Sequence, residues 1–196
     1  LVNSKGGTIC LTGSNVTIDQ SSFTQSSAKV DGGAIFITGN DVKVTNSNFS
    51  DCISTESSGG AVYIIGNNTH VIDCGFDNCR VDVKGDHRGG AIYVAGNDAN
   101  ITGSTFTNTK ALIGGAICIA GDGTVVDDST FAYNDAVSTT GGTGGAINID
   151  GSNAIISNSN FSHGTAVNYG GAIAVLGDNA LLVNNTIDQS KTTKYN

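Results

Sequence analysis

The sequence predicts an all-β solenoid, a rod of stacked parallel coils, and three observations predict it. A Gly-Gly pair followed by a small and a β-branched residue recurs at Gly32-Gly33-Ala34-Ile35, Gly59-Gly60-Ala61-Val62, Gly89-Gly90-Ala91-Ile92, Gly114-Gly115-Ala116-Ile117, Gly144-Gly145-Ala146-Ile147 and Gly170-Gly171-Ala172-Ile173, and a variant, Gly6-Gly7-Thr8-Ile9, opens the series. Phe23, Phe49, Phe76, Phe106, Phe131, Phe161 and Ile187 each stand seventeen residues after the first Gly of their unit. All variation in length falls between that residue and the next Gly-Gly, so a rigid part alternates with an elastic one. A fixed register kept across successive units is what stacking demands, because a unit this short cannot bury its own apolar face alone.

Each element of the unit follows from period-two alternation. Ile35 and Ile37 share one face, then Val42 and Val44, then Ser47 and Phe49, with Gly39 and Asn40 at the first bend. One coil therefore reads as three short strands in roughly 27 residues, which fits a parallel β-helix. The seven coils start near 6, 32, 59, 89, 114, 144 and 170 within a single solenoid domain spanning 1–196. At the usual interstrand spacing they make a rod about 35 Å long. Neither end departs from the repeat, so the sequence reads as a segment of a longer array or as a polymerising subunit.

Composition narrows the function. The 196 residues include 28 Gly and no Pro, Met or Trp, and only 13% are charged, where about 25% is ordinary. Asn, Ser and Thr cover the surface instead. A net charge of −8 with nine Lys and Arg argues against nucleic acid and anionic membranes, which need clustered cations. No apolar run approaches the roughly 18 residues of a spanning helix. The bend residues Asp41, Asp98, Asp122 and Asp178 read as turn formers, and His70, His87 and His163 share no ligand spacing, so no metal or other cofactor is expected.

The GGA[IV] box with its trailing Phe resembles the GGA[ILV] and FxxN repeats of the chlamydial polymorphic outer membrane proteins, and is similar to the β-helical repeats of adhesin-like surface proteins of methanogenic archaea. The likeness covers residues 6 to 190; the FxxN signature is met only by Phe131 to Asn134. It implies a right-handed parallel β-helix, exported and displayed extracellularly on a cell surface, acting as an adhesin or structural stalk. The implied partners are the chain itself, head to tail or laterally, or a protein or glycan of another cell surface.

Two working surfaces follow from the pattern. The residue between the inward aliphatics of the first strand points outward and runs Cys10, Phe36, Tyr63, Tyr93, Cys118, Asn148, Ala174, with the Ala of each GGA box beside it. That strip is expected to be flat, exposed and suited to lateral packing or to sugar stacking on Phe36, Tyr63 and Tyr93. The elastic corner projects loops at 80–88, where Arg80, Lys84, Asp86, His87 and Arg88 gather charge, and at 135–143. Cys52 and Cys79 take equivalent places in adjacent coils and form a candidate disulfide, whereas Cys74 is expected inside. Candidate N-glycosylation sequons begin at Asn15, Asn48, Asn67, Asn100, Asn160 and Asn184.

Catalysis is not expected. Asp127-Asp128 and Ser162-His163-Gly164 echo elements of polygalacturonases, but glycoside cleavage needs two carboxylates facing one cleft. Asp127 and Asp128 are successive strand residues pointing opposite ways. The functional expectation is thus a non-catalytic structural or adhesive solenoid. The alternatives are a self-assembling head-to-tail filament or sheath subunit, and a β-helix that binds or cleaves polysaccharide.

Overall fold

The computed structural model describes residues 4–82, 85, 87–137 and 141–193. The chain winds through seven coils, each giving one strand to each of four sheets. The first sheet runs from Ile9–Thr12 to Ile173–Val175, the second from Thr17–Asp19 to Leu181–Val183 and the third from Ser22–Thr24 to Thr186–Asp188. The fourth, from Ser27–Ala28 to Lys191–Thr192, is built of two-residue strands. Two residues carry no visible alternation, which is why the sequence predicts three strands per coil where the structure has four. Strand pairing is parallel and joins successive coils, so that Ile35 lies between Ile9 and Val62, and Phe49 between Phe23 and Phe76.

The core is a set of columns. Phe23, Phe49, Phe76, Phe106, Phe131 and Phe161 stack with ring centroids 4.7 to 4.9 Å apart and within 6° of parallel. Each such burial is worth about 1.5–3 kcal/mol. Beside them runs a polar column: the backbone N–H of Ser21, Cys74, Ser104 and Ser129 donates to the hydroxyl of Ser47, Ser104, Ser129 and Ser159 respectively. Ser47, Ser104, Ser129 and Ser159 each donate in turn to the carbonyl two residues earlier. These buried hydroxyls are satisfied twice over, which lets a strand corner sit inside the rod without an orphaned donor. Cys74 lies inside this column, as the sequence predicts, and is 3% exposed.

Asn134, the Asn of the FxxN match, has a similar duty one corner on. Its Oδ1 accepts from the Thr109 N–H at 3.1 Å and the Thr109 hydroxyl at 2.7 Å, and its Nδ2 donates to the Phe106 carbonyl at 3.1 Å. The alanines of the GGA boxes, expected beside the outer strip, are instead in the core; Ala34, Ala61, Ala91 and Ala116 are fully buried there. The chain bends at the Gly pair, so that Ala and the following Ile both reach inward.

The corners explain the composition. The second coil turns at Gly32, Asp41, Asn46 and Asp51, with φ of 66, 58, 49 and 55°. Left-handed backbone is costly for most L-residues and cheapest for Gly, Asn and Asp, so a fold with one such residue at each corner selects them. The second Gly of the pair is needed for a different reason. A Cβ on Gly33 would lie 1.9 Å from the Gly60 carbonyl oxygen of the next coil. Backbones pass too closely there for any side chain.

Candidate functional site

The outward row of the first sheet forms one column in register: Cys10, Phe36, Tyr63, Tyr93, Cys118, Asn148, Ala174. It is not the flat exposed strip the sequence suggests. Phe36 is 4% exposed, Cys118 and Asn148 are fully buried, and only Tyr63 and Tyr93 among the aromatics are half-open. The cover comes from the residues that precede each Gly-Gly, which the left-handed Gly folds back along this face. Arg88, Ile113, Thr143 and Tyr169 pair successively there as isolated parallel bridges.

At one end, the Lys5 ammonium sits 4.5 Å from the centre of the Phe36 ring and 3.0 Å from the Asp31 carboxylate. Asp31 is 6% exposed and also accepts from the Ser57 hydroxyl. At the other end, Arg88 Nη1 reaches Asp150 Oδ2 at 2.7 Å. Arg88 precedes the coil of Tyr93 and Asp150 follows Ile147–Ile149, so the pair crosses the intervening strand Ile117–Ile119 and shuts Cys118 beneath it. Asn148 completes the plug: its Nδ2 donates to Asp150 Oδ1 at 2.8 Å and lies 3.8 Å from Cys118 Sγ, while its Oδ1 accepts from Thr143 at 3.1 Å.

Between these two ion pairs the tyrosines make an open bay. Tyr63 stacks on Phe36 at 5.6 Å and Tyr93 tilts against Tyr63 at 4.8 Å. Ile65, 42% exposed, stands beside them two residues along from Tyr63. Burial, with the Asp31 carboxylate and Tyr93 adding to it, pushes the Tyr63 hydroxyl up to about 12, and burial raises Tyr93 as well. Both hydroxyls are therefore protonated donors at neutral pH. An aromatic floor with two donors, framed by the carboxylates of Asp31 and Asp150, can hold a small polar ring by stacking and by hydrogen bonds at its rim.

Of the corner-loop residues that the structure describes, only Arg88 reaches this bay. Arg80 is exposed on the fourth sheet between Ile53 and Lys110. The His87 carbonyl accepts from the Leu112 and Ile113 amides, so its backbone shapes the corner. Lys84 and Asp86 lie outside the described residues. Spacing alone does not mark Asp31 or Asp150, and Asn148 stands in the sequence only as one member of the outward row. The available signal was that Asn148 and Asp150 interrupt columns that are mostly aromatic or apolar in the neighbouring coils.

Cys52 and Cys79 are buried free thiols at matched positions. Their mutual contact raises Cys79 and lowers Cys52. The sequon residues Asn15, Asn48, Asn67, Asn160 and Asn184 are exposed and Asn100 is half-buried on an outer strand face. Asp127, one of the two echoed acids, accepts from Ser157 at 2.6 Å and Asn158 at 2.8 Å, which holds its carboxyl below the ordinary range. Asp19 repeats the arrangement with Asn46 and Thr45. Among the described residues, no group of three or more His, Cys, Asp and Glu is gathered to hold a metal.

Residues 90–195, more than half of the chain, match the family described as a right-handed β-helix region. The chain belongs to that family, and the seven parallel coils are its architecture in this sequence. No curated protein matches the chain.

Proposed function

We propose that this chain is a non-catalytic adhesive β-helix of a cell surface, and that its bay of Tyr63 and Tyr93 takes a neutral sugar unit of a glycan. The observation that carries the reading is the opening itself: between the Lys5–Asp31 and Arg88–Asp150 pairs, in a column whose Phe36, Cys118 and Asn148 are buried, the adjacent tyrosines stay half-open. Because both pairs are internally neutralised, the bay favours uncharged hydroxyl-bearing ligands over anions. Asp127, held below the ordinary carboxylate range by its hydrogen bonds, is unsuited to the general-acid role of a glycosidase. Exposed sequons on the rod's outer faces accord with an extracellular glycoprotein.

Immobilised neutral oligosaccharides of glucose, galactose, mannose and xylose test this directly. The wild-type chain should bind at least one of them. The variant Tyr63→Ser/Tyr93→Ser should bind at least tenfold more weakly while its far-ultraviolet circular dichroism stays unchanged. Equal binding by the two proteins, or none by the wild type, contradicts the proposal.

A further inference from the structure

The corner between the third and fourth sheets carries the column Gln25, Asp51, Asn78, Asn108, Tyr133, His163, Gln189, each with left-handed backbone. Throughout the described residues, every other non-glycine residue with a left-handed φ is Asn, Asp or Gln; Tyr133 at 56° and His163 at 55° are the exceptions. Histidine tolerates this conformation as Asn and Asp do, but a bulky side chain such as that of Tyr133 is disfavoured in it, and such outliers concentrate where function holds them.

The two residues also give up the bond that their neighbours make. In the same column Asn78 donates to Asp51 at 2.6 Å, and Asn108 to Asp77 at 3.2 Å, tying one coil to the next. His163 has its Nδ1 shut from solvent with no hydrogen-bond partner. What the pair forms instead is a stack, ring centroids 4.5 Å apart and 21° from parallel, with Tyr133 54% exposed. Asparagine at position 133 would suit the left-handed backbone better.

We infer that Tyr133 and His163 form a second carbohydrate-contacting site, an aromatic corner that stacks against the C–H face of a neutral sugar ring. The surroundings select this occupant. Around the stack lie small or polar side chains, Asn108 and Gln189 along the corner and Thr107, Ala132, Ser162 and Asp188 on the adjoining strands. Protein interfaces have an apolar core of several residues; a lone aromatic pair beside hydroxyls, amides and one carboxylate acceptor fits a ligand that is itself a ring edged with hydroxyls. The site lies on a different corner from the tyrosine bay and stands or falls independently of it.

The test uses the same neutral oligosaccharide surface with four proteins: wild type, Tyr133→Asn/His163→Asn, Tyr63→Ser/Tyr93→Ser, and the variant combining all four changes. The corner variant is expected to bind about fivefold more weakly than wild type, to melt at the same or a higher temperature, and to weaken binding further in the combined variant. Such a loss of binding without loss of stability separates a contact residue from a structural one. A corner variant that binds as wild type does, or that melts lower, overturns the inference while leaving the tyrosine bay to its own comparison. A wild type that binds no sugar overturns both.

Discussion

Arg88 and Asp150, 62 residues apart in sequence, meet at 2.7 Å across the coil that carries Cys118. Contacts between coils otherwise run mainly from one to the next, so this pair is a strap over the intervening coil, and the thiol below it is fully buried.

Asp150→Ala should open that strap. A pair whose side chains are about a third exposed contributes under about 1 kcal/mol, so the variant should fold and lose little stability. Its Cys118 should react with an aromatic disulfide reagent at least tenfold faster than in the wild type. In the wild type only Cys10, the exposed thiol, should react quickly. An unchanged rate for Cys118 in the variant would show that other residues seal it.

Stability should fall on the alkaline side. Burial, with Asp150 next in weight, pushes the Cys118 thiol up to about 12, and Tyr63 is likewise pushed up to about 12. The unfolded thiol titrates near ~8.5 and the phenol near ~10. Between those values and the folded ones the unfolded chain binds fewer protons than the native one, so stability present below pH ~8.5 is lost as pH rises toward 12. Urea midpoints measured from pH 7 to 11 should decline, and Cys118→Ala should make the decline shallower. A flat profile would contradict the burial assigned to these groups.

Asn134→Ala removes the oxygen that accepts both Thr109 donors inside the rod. Leaving buried donors unpaired costs about 1–3 kcal/mol, and Asn134→Ser, which restores one acceptor, should lose less. Equilibrium urea unfolding of the two variants provides the comparison; equal midpoints for alanine and wild type would remove the structural role given to this amide.

Gly33→Ala places a carbon 1.9 Å from Gly60 O and 2.7 Å from Ile53 O. Both contacts are backbone, so no side chain can swing aside, and stacking between these coils must be disrupted. The expected loss is more than about 3 kcal/mol, beyond an ordinary point substitution. A soluble variant with wild-type melting would refute the close approach.

The columns were legible in the sequence because they obey spacing alone. The Phe ladder, the Gly pairs and the inward placement of Ile35, Ile37, Val42 and Val44 need only a constant interval to be seen. What spacing hides is which outer surface the elastic segment lies against. Phe36 and Cys118 alternate as outward residues should, yet the chain entering each Gly-Gly covers them, and its variable length leaves no periodic trace. The Arg88–Asp150 contact joins two residues of different rows in non-adjacent coils, which no repeat alignment pairs. Tyr133 and His163 sit in a column whose rule, left-handed backbone, becomes visible only once φ is known.

The ladder bonds between coils point along the rod, and this gives the molecule a distinctive mechanical character. A pull on the two ends loads them in succession, so coils should peel away singly and not as one block. Each released coil of roughly 27 residues yields about 90 Å of extended chain in exchange for about 4.8 Å of rod. Loaded end to end, such a rod would lengthen under tension at nearly constant force, coil after coil.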